Sequence, residues 1–231
     1  MKIKSFGCSF IYGSELHDEL RDECCTEPSQ FTWPALIAKK LDIEYQCFAI
    51  PGSGNLRILE KILNHAATED RNVFYIIGWT WIERFDYTIS DPDPKWRDSW
   101  QTICPVATDK TSKFYYKNIH SEFRDKLTSL TYLSLAINVL KEKNIPFLMT
   151  YQDPLTLDQQ WNISAGGKFL QNQISQHLAT FNGCTFLDWA RKNNFPVSRL
   201  WHPLEEAHAA AADYMFDRVQ AQVDKLTKNT L

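Results

Sequence analysis

The sequence has no C-x-x-C pair, no long apolar stretch and no excess of basic residues. Each lack removes a class of function. Six cysteines (Cys8, Cys24, Cys25, Cys47, Cys104 and Cys184) are scattered along the chain. Without paired spacing they do not predict a structural zinc site, and no metal is expected. Most of them read as small buried hydrophobes in a reducing compartment. Lys2 and Lys4 near the N-terminus are not followed by a long apolar region, so neither a signal peptide nor a membrane span is expected, and the expected location is cytoplasmic. Twenty-five Lys and Arg against 28 Asp and Glu give a net charge of −3, which offers no basic surface to nucleic acid. There is no internal repeat and no low-complexity segment. What is present is ordinary for a folded domain: 44% hydrophobic and 23% charged residues over 231 positions. That is enough chain for one large α/β domain, expected to span residues 1–231.

The pattern alternates strand and helix. Lys2 to Phe6 reads as a first strand, followed by a polar, acid-rich loop from Gly13 to Gln30. Thr32-Trp33-Pro34 opens a helix, Thr32 as cap and Pro34 in the first turn. Tyr45 to Ile50 reads as a second strand, ending in Pro51-Gly52-Ser53-Gly54, with Asn55 as cap of the next helix. Val73 to Ile77 is a continuous β-prone run, as in a central strand buried on both faces. It ends at Gly78-Trp79-Thr80. From about Phe85 to Phe123 the rhythm breaks, and this polar stretch, with Asp91-Pro92-Asp93-Pro94, reads as an insertion over the C-terminal edge of the sheet. A helix over Lys126 to Lys143, a fourth strand over Pro146 to Tyr151 and a helix over Gly167 to Phe181 follow. A short fifth strand over Thr185 to Trp189 and a closing helix over Pro203 to Leu226 complete the pattern. Five strands joined by helices predict a parallel sheet in a three-layer α/β/α sandwich, flavodoxin-like, with order 2-1-3-4-5. In that order Ser9, Gly52 and Thr80 fall on one edge.

Aromatic residues make up 13% of the chain. Trp96, Trp100 and Trp161 fall in segments that do not look like core elements. They read either as loop packing or as a stacking surface for flat ligands and sugar rings.

A serine at the end of a first strand, Gly7-Cys8-Ser9-Phe10, is where an open α/β sheet places a nucleophile or binding group. Its hydroxyl needs a base. Of the six histidines, His65 and His177 lie inside helical runs and read as solvent-facing. His17 lies in the acidic loop and His120 in the insertion. His202 stands before Pro203, which at a first helical position would fix it near a helix cap, with Glu205 and Glu206 in the first turn. Gly52 and Gly54 allow close backbone approach, and the amide of Ser9, the Gly52 loop and the Thr80 hydroxyl are candidate donors to an oxyanion. Asn55 and Arg84 are candidate substrate-binding residues. The Arg84 guanidinium suits a carboxylate or phosphate, or else a salt bridge with Glu83 or Asp86. Asp153 is either a polar wall or the initiator of a turn at Pro154. Gly52-Ser53-Gly54 lacks the third glycine and the acidic partner of a dinucleotide fingerprint, so no such cofactor is expected.

These blocks resemble the SGNH, or GDSL-like, hydrolases. Gly7-Cys8-Ser9-Phe10 is similar to their first block, Gly-Asp-Ser. Ile50-Pro51-Gly52-Ser53-Gly54-Asn55 resembles the second, whose glycine donates to the oxyanion. Gly78-Trp79-Thr80 holds the place of the third, Gly-x-Asn, and His202-Pro203 with Ala207-His208 resembles the fifth, Asp-x-x-His-Pro. The resemblance runs the length of the chain in order. It implies a flavodoxin-like fold and an ester hydrolase with Ser9 as nucleophile and His202 as base. The oxyanion would be held by Gly52 and Thr80, no cofactor is needed, and the substrate would be a small-molecule or glycan ester. Three departures accompany it: Cys8 replaces Asp, Thr80 replaces the oxyanion Asn, and Arg199 stands three residues before His202 where the orienting acid belongs. The acid would then be a backbone carbonyl, Glu205 or Glu206. A binding module on the same scaffold, or an acyltransferase, is the alternative reading.

Overall fold

The computed structural model describes residues 1–22, 25–69, 72–89 and 99–228. In chain order the elements begin with β1 (Lys2–Phe6), α1 (Ser9–Tyr12) and the strands β2 (Leu20–Asp22) and β3 (Cys25–Glu27). Next come α2 (Trp33–Lys40), β4 (Glu44–Cys47), α3 (Asn55–Thr68), β5 (Val73–Trp79), β6 (Phe85–Thr88) and β7 (Trp100–Ile103). Then follow α4 (Lys110–Asn118), α5 (Glu122–Glu142), β8 (Phe147–Tyr151), a 3-10 turn (Pro154–Thr156), α6 (Ala165–Ser175), α7 (Phe186–Lys192) and α8 (Glu205–Lys228). The central sheet is parallel, in the order β4-β1-β5-β8. Two-stranded antiparallel pairs, β2-β3 and β6-β7, stand outside it.

Strand β5 is buried along its whole length, and its alternation builds both halves of the core. Phe74 and Ile76 join Ile3, Trp33, Ile37, Met215 and Val219 on the α2/α8 side. Tyr75, Ile77 and Trp79 join Phe6, Ile58, Ile62, Leu133 and Ile137 on the α3/α5 side. A period of two along a strand covered by helices on both faces produces this division. The result is the expected three-layer architecture.

The predicted fifth strand is absent. Residues Thr185 to Trp189 instead enter α7, because Thr185 caps it: its Oγ accepts from Asp188 N at 3.2 Å and donates to Asp188 Oδ2 at 2.9 Å. This reciprocal cap stabilises a helix start. The sheet ends on β8, beyond which a single parallel bridge joins Met149 to Leu178. Helix α5 starts at Glu122 rather than Lys126, capped by Ser121, and β6, β7 and α4 lie between β5 and α5. Helix α6 begins at Ala165, capped by Ser164, and ends at Ser175 rather than Phe181, where the chain turns to meet β8. Trp100 is half-buried and Trp161 exposed; Trp96 and the Asp91-Pro92-Asp93-Pro94 run lie outside the described residues. Cys8 is buried, but Cys47, Cys104 and Cys184 are only half-buried, and Cys24 lies outside the described residues. Among the described residues no helix is long and apolar enough to cross a membrane.

Helix α2 is capped unexpectedly. The side chain of Thr32 makes no cap bond. The amide of Trp33 instead donates to His208 Nδ1 at 3.1 Å. In the sequence His208 matches only the fifth block of the resemblance. It is 1% exposed, packs edge-on against Phe186 and pins α8 to α2. Burial, the dominant cause, pushes its pKa down to about 3. The unfolded chain takes up this proton near pH 6.5, while the folded chain resists it, so stability is complete above about pH 6.5 and falls as the pH drops toward 3. Chemical denaturation at pH 7 and pH 5 should show His208→Asn, which keeps an acceptor for Trp33 but cannot titrate, escaping ~2 kcal/mol of the wild-type loss. Equal losses in the two proteins would remove His208 as the cause.

Candidate active site

Strand β1 delivers Ser9 to the C-terminal edge of the sheet. After Phe6 the chain turns through Gly7, whose position leaves no room for a side chain: a Cβ would stand 2.6 Å from Ile11 Cγ1 and 2.9 Å from the Gly78 carbonyl. This close approach lets α1 lie across the ends of β1 and β5. Ser9 is the first residue of that single turn, which closes at Gly13 in the left-handed region. The Ser9 side chain is largely shielded, with the residue 7% exposed.

His202 meets Ser9 from the opposite end of the chain. Its Nε2 lies 2.9 Å from Ser9 Oγ. Contrary to the expectation, Pro203 does not open the last helix. Residues 196–204 form a tight loop in which Val197 bridges Pro203, Ser198 N donates to the His202 carbonyl and Leu204 N donates to the Pro196 carbonyl. Helix α8 starts only at Glu205. Trp201, at φ 74, makes the loop's sharp turn, and Phe10 packs edge-on against the imidazole with ring centroids 5.3 Å apart. The ring is therefore held from the backbone and from its face.

The carboxylate beside His202, which sequence reasoning missed, belongs to Glu15. Its Oε2 lies 2.5 Å from His202 Nδ1 and accepts from Ser198 Oγ at the same distance. Ser198 Oγ in turn accepts from the His202 amide at 3.0 Å. Glu15 sits at φ 70, in the left-handed region, which costs a non-glycine residue about 1–2 kcal/mol and is tolerated where surrounding bonds fix it. Glu205, expected as a possible acid, instead accepts from the His17 amide and faces its Nδ1, each at 2.9 Å. Burial pushes the Glu205 carboxyl up, but the bonds from His17 outweigh it and hold the group below its ordinary value. Neither a backbone carbonyl nor Glu206 takes the place. The signal was available in the acidic loop: a carboxylate two residues beyond the Gly13 turn that ends the nucleophile's own helix.

Among the described residues, the backbone amides of Ser9 and Gly52 find no acceptor. Gly52 follows β4 closely. The ladder with β1 continues past the strand through Phe48 N to the Ser5 carbonyl and Ile50 N to the Gly7 carbonyl, which carries the Gly52 loop to the Ser9 turn. Gly52 has φ 80, a conformation other residues resist.

Thr80 is fully buried; its amide donates to Asn55 Oδ1 at 2.9 Å, and its hydroxyl is closed off from solvent with no hydrogen-bond partner among the described residues. Asn55 is neither cap nor substrate ligand. It is the first residue of α3, and its side chain is spent on Thr80 N, the Thr80 carbonyl and Ser129 Oγ. It anchors the end of β5 to α3 and α5. Arg84 donates through Nη1 to the Ser53 carbonyl at 2.9 Å and stacks over Trp81. Asp153 caps the 3-10 turn through Leu155 N, as expected, and also accepts from Ile82 N at 3.0 Å. Burial raises its pKa and these two amides partly offset that. His65 and His177 are half-buried rather than solvent-facing, and His120 lies 2.8 Å from Asp125, within the insertion and α5.

No protein-family model matches the sequence, and no curated protein sequence matches it. Solved structures do. The psychrotrophic esterase EstA from Pseudoalteromonas sp. superposes with a TM-score of 0.52 at 14% identity, over 96% of this chain and 98% of that one. A member of the lipolytic protein G-D-S-L family from Veillonella parvula gives 0.50 at 14% identity, over 94% and 97%. The acetyl xylan esterase Est2A from Butyrivibrio proteoclasticus gives 0.50 at 12% identity, over 96% of this chain and 64% of that one. The chain thus has the α/β/α fold shared by these G-D-S-L-type lipolytic proteins and esterases.

Proposed function

We propose that this chain is a serine ester hydrolase acting through an acyl-enzyme on Ser9. The observation that carries the reading is the continuous array Ser9 Oγ, His202 Nε2, His202 Nδ1 and Glu15 Oε2, with contacts of 2.9 and 2.5 Å. In the first step Ser9 Oγ attacks the ester carbonyl as His202 Nε2 takes its proton. Glu15 accepts the Nδ1–H, fixes the tautomer and stabilises the imidazolium. The new oxyanion lies against the amides of Ser9 and Gly52. Collapse breaks the ester C–O bond, and His202 returns the proton to the leaving alkoxide. Water then attacks the acyl group with His202 again as base, releasing the acid and restoring Ser9. Ser198 is a positioning residue, since it touches Glu15 and the His202 amide. We take residues 1–231 as one catalytic domain with an insertion after β5. A small or carbohydrate ester is the favoured substrate class, supported by the exposed aromatic Trp161 and by the likeness to an acetyl xylan esterase.

A fluorophosphonate probe should form a covalent adduct mapped by peptide mass spectrometry to Ser9, and Ser9→Ala should abolish it. Folded protein that takes no label would end the hydrolase reading.

A further inference from the structure

Among the described residues, no acid forms an ion pair with Arg84. Its guanidinium lies 4.8 Å from the centre of the Trp81 ring, and its Nη1 is fixed on the Ser53 carbonyl, one residue beyond Gly52. Trp81 contacts Phe10 at 5.4 Å between centroids, and Phe10 contacts His202 at 5.3 Å. Arg84 is thus tied both to the Gly52 loop and, through two rings, to the base.

Neither neighbouring acid neutralises it. The oxygens of Asp86 are taken by Gly54 N, Arg57 N and Thr102 Oγ1. Glu83 is close enough to feel the charge, yet no ion pair joins Glu83 to Arg84 among the described residues. The group is half-buried and borders a cavity of about 210 Å³ with Leu56, Phe85, the fully bonded Asp86 and the ion-paired Arg124 and Asp125. A guanidinium stacked on an aromatic ring and held by one bond keeps its remaining N–H donors in a rigid fork, the geometry that suits a carboxylate or phosphate. A cation held this way without a partner carries an unmet charge that an anionic ligand would satisfy.

We infer that Arg84 selects esters bearing a carboxylate or phosphate several bonds from the scissile carbonyl. The inference uses the ester-hydrolase reading only to say where the substrate lies. Two substrate pairs test it. In 4-acetoxybenzoate and 4-acetoxybenzamide the charge is on the leaving side; in monomethyl and dimethyl adipate it is on the acyl side. Wild-type kcat/KM should favour the anionic member of at least one pair by about tenfold. Arg84→Gln should bring that ratio close to one, and Arg84→Lys, which keeps the charge but loses the fork, should leave it in between. No preference in either pair, or a preference that survives in Arg84→Gln, overturns the inference. If none of these esters is turned over, calorimetric titration with 4-hydroxybenzoate and 4-hydroxybenzamide makes the same comparison as binding. Tighter benzoate binding lost in Arg84→Gln supports the selector, equal binding refutes it, and in either case the missing turnover counts only against the hydrolase reading.

Discussion

Glu15→Ala is expected to lower kcat on the order of 10⁴-fold, the loss that follows when the orienting acid of a serine-histidine pair is removed. The protein should keep its fold, because Glu15 is a partly exposed loop residue whose side chain is 26% accessible. KM should change little, since Glu15 touches the base and not the substrate. Glu15→Gln should lose less than Glu15→Ala: it can keep a hydrogen bond to Nδ1 and gives up only the charge. Steady-state hydrolysis of a neutral aryl ester gives all three numbers. Glu205→Ala and Glu206→Ala are the controls, because sequence reasoning nominated those carboxylates. If either control falls as far as Glu15→Ala, the assignment of the acid is wrong.

Asp86→Ala should cost about 3 kcal/mol or more, the second large effect. Asp86 is 6% exposed, and its carboxylate accepts from Gly54 N at 2.9 Å, Arg57 N at 2.9 Å and Thr102 Oγ1 at 2.6 Å. It therefore caps α3 from outside the helix, taking the amides at the cap and third positions. It also ties β6 to β7 and holds the loop that carries Gly52. The fit is close: a Cβ on Gly54 would stand 2.6 Å from Asp86 Oδ2. Truncation leaves two buried amides and a hydroxyl without acceptors. In a chain of this length the loss corresponds to a fall in Tm of about 6–12 °C. Asp86→Asn, which retains one acceptor oxygen, should fall less. A Tm within a degree of wild type in Asp86→Ala would show that the cap is not needed.

Much of the architecture could be read from local pattern. Val73 to Ile77 is apolar at every position and made of β-branched and aromatic residues, which favours a strand covered on both faces. Ser9 and His202 were legible because each stands at a turn marked by small or rigid residues. The rest depended on contacts that no local pattern encodes. Glu15 was hidden because its role exists only once the loop of residues 196–204 lies against the Ser9 turn. The cap of α3 was assigned to Asn55 when it comes from Asp86, about thirty residues on. The Thr185 to Trp189 run was misread for another reason. A short apolar segment looks the same as strand or helix, and the Thr185–Asp188 cap, which decides between them, was overlooked. The burial of Thr80 was likewise not readable from its place in the motif.

In the proposed mechanism the nucleophile and the acid lie on one short stretch, Ser9 to Glu15, while the base comes from 193 and 187 positions away. The N-terminal part of the chain thus lays down two of the three groups and waits. During synthesis, or on refolding, those two groups stand idle until the loop of residues 196–204 has been made and docks. Contacts at such sequence separation close late, because their loop entropy is recovered only when the intervening core has formed. The proposed activity would therefore report that the loop of residues 196–204 has docked.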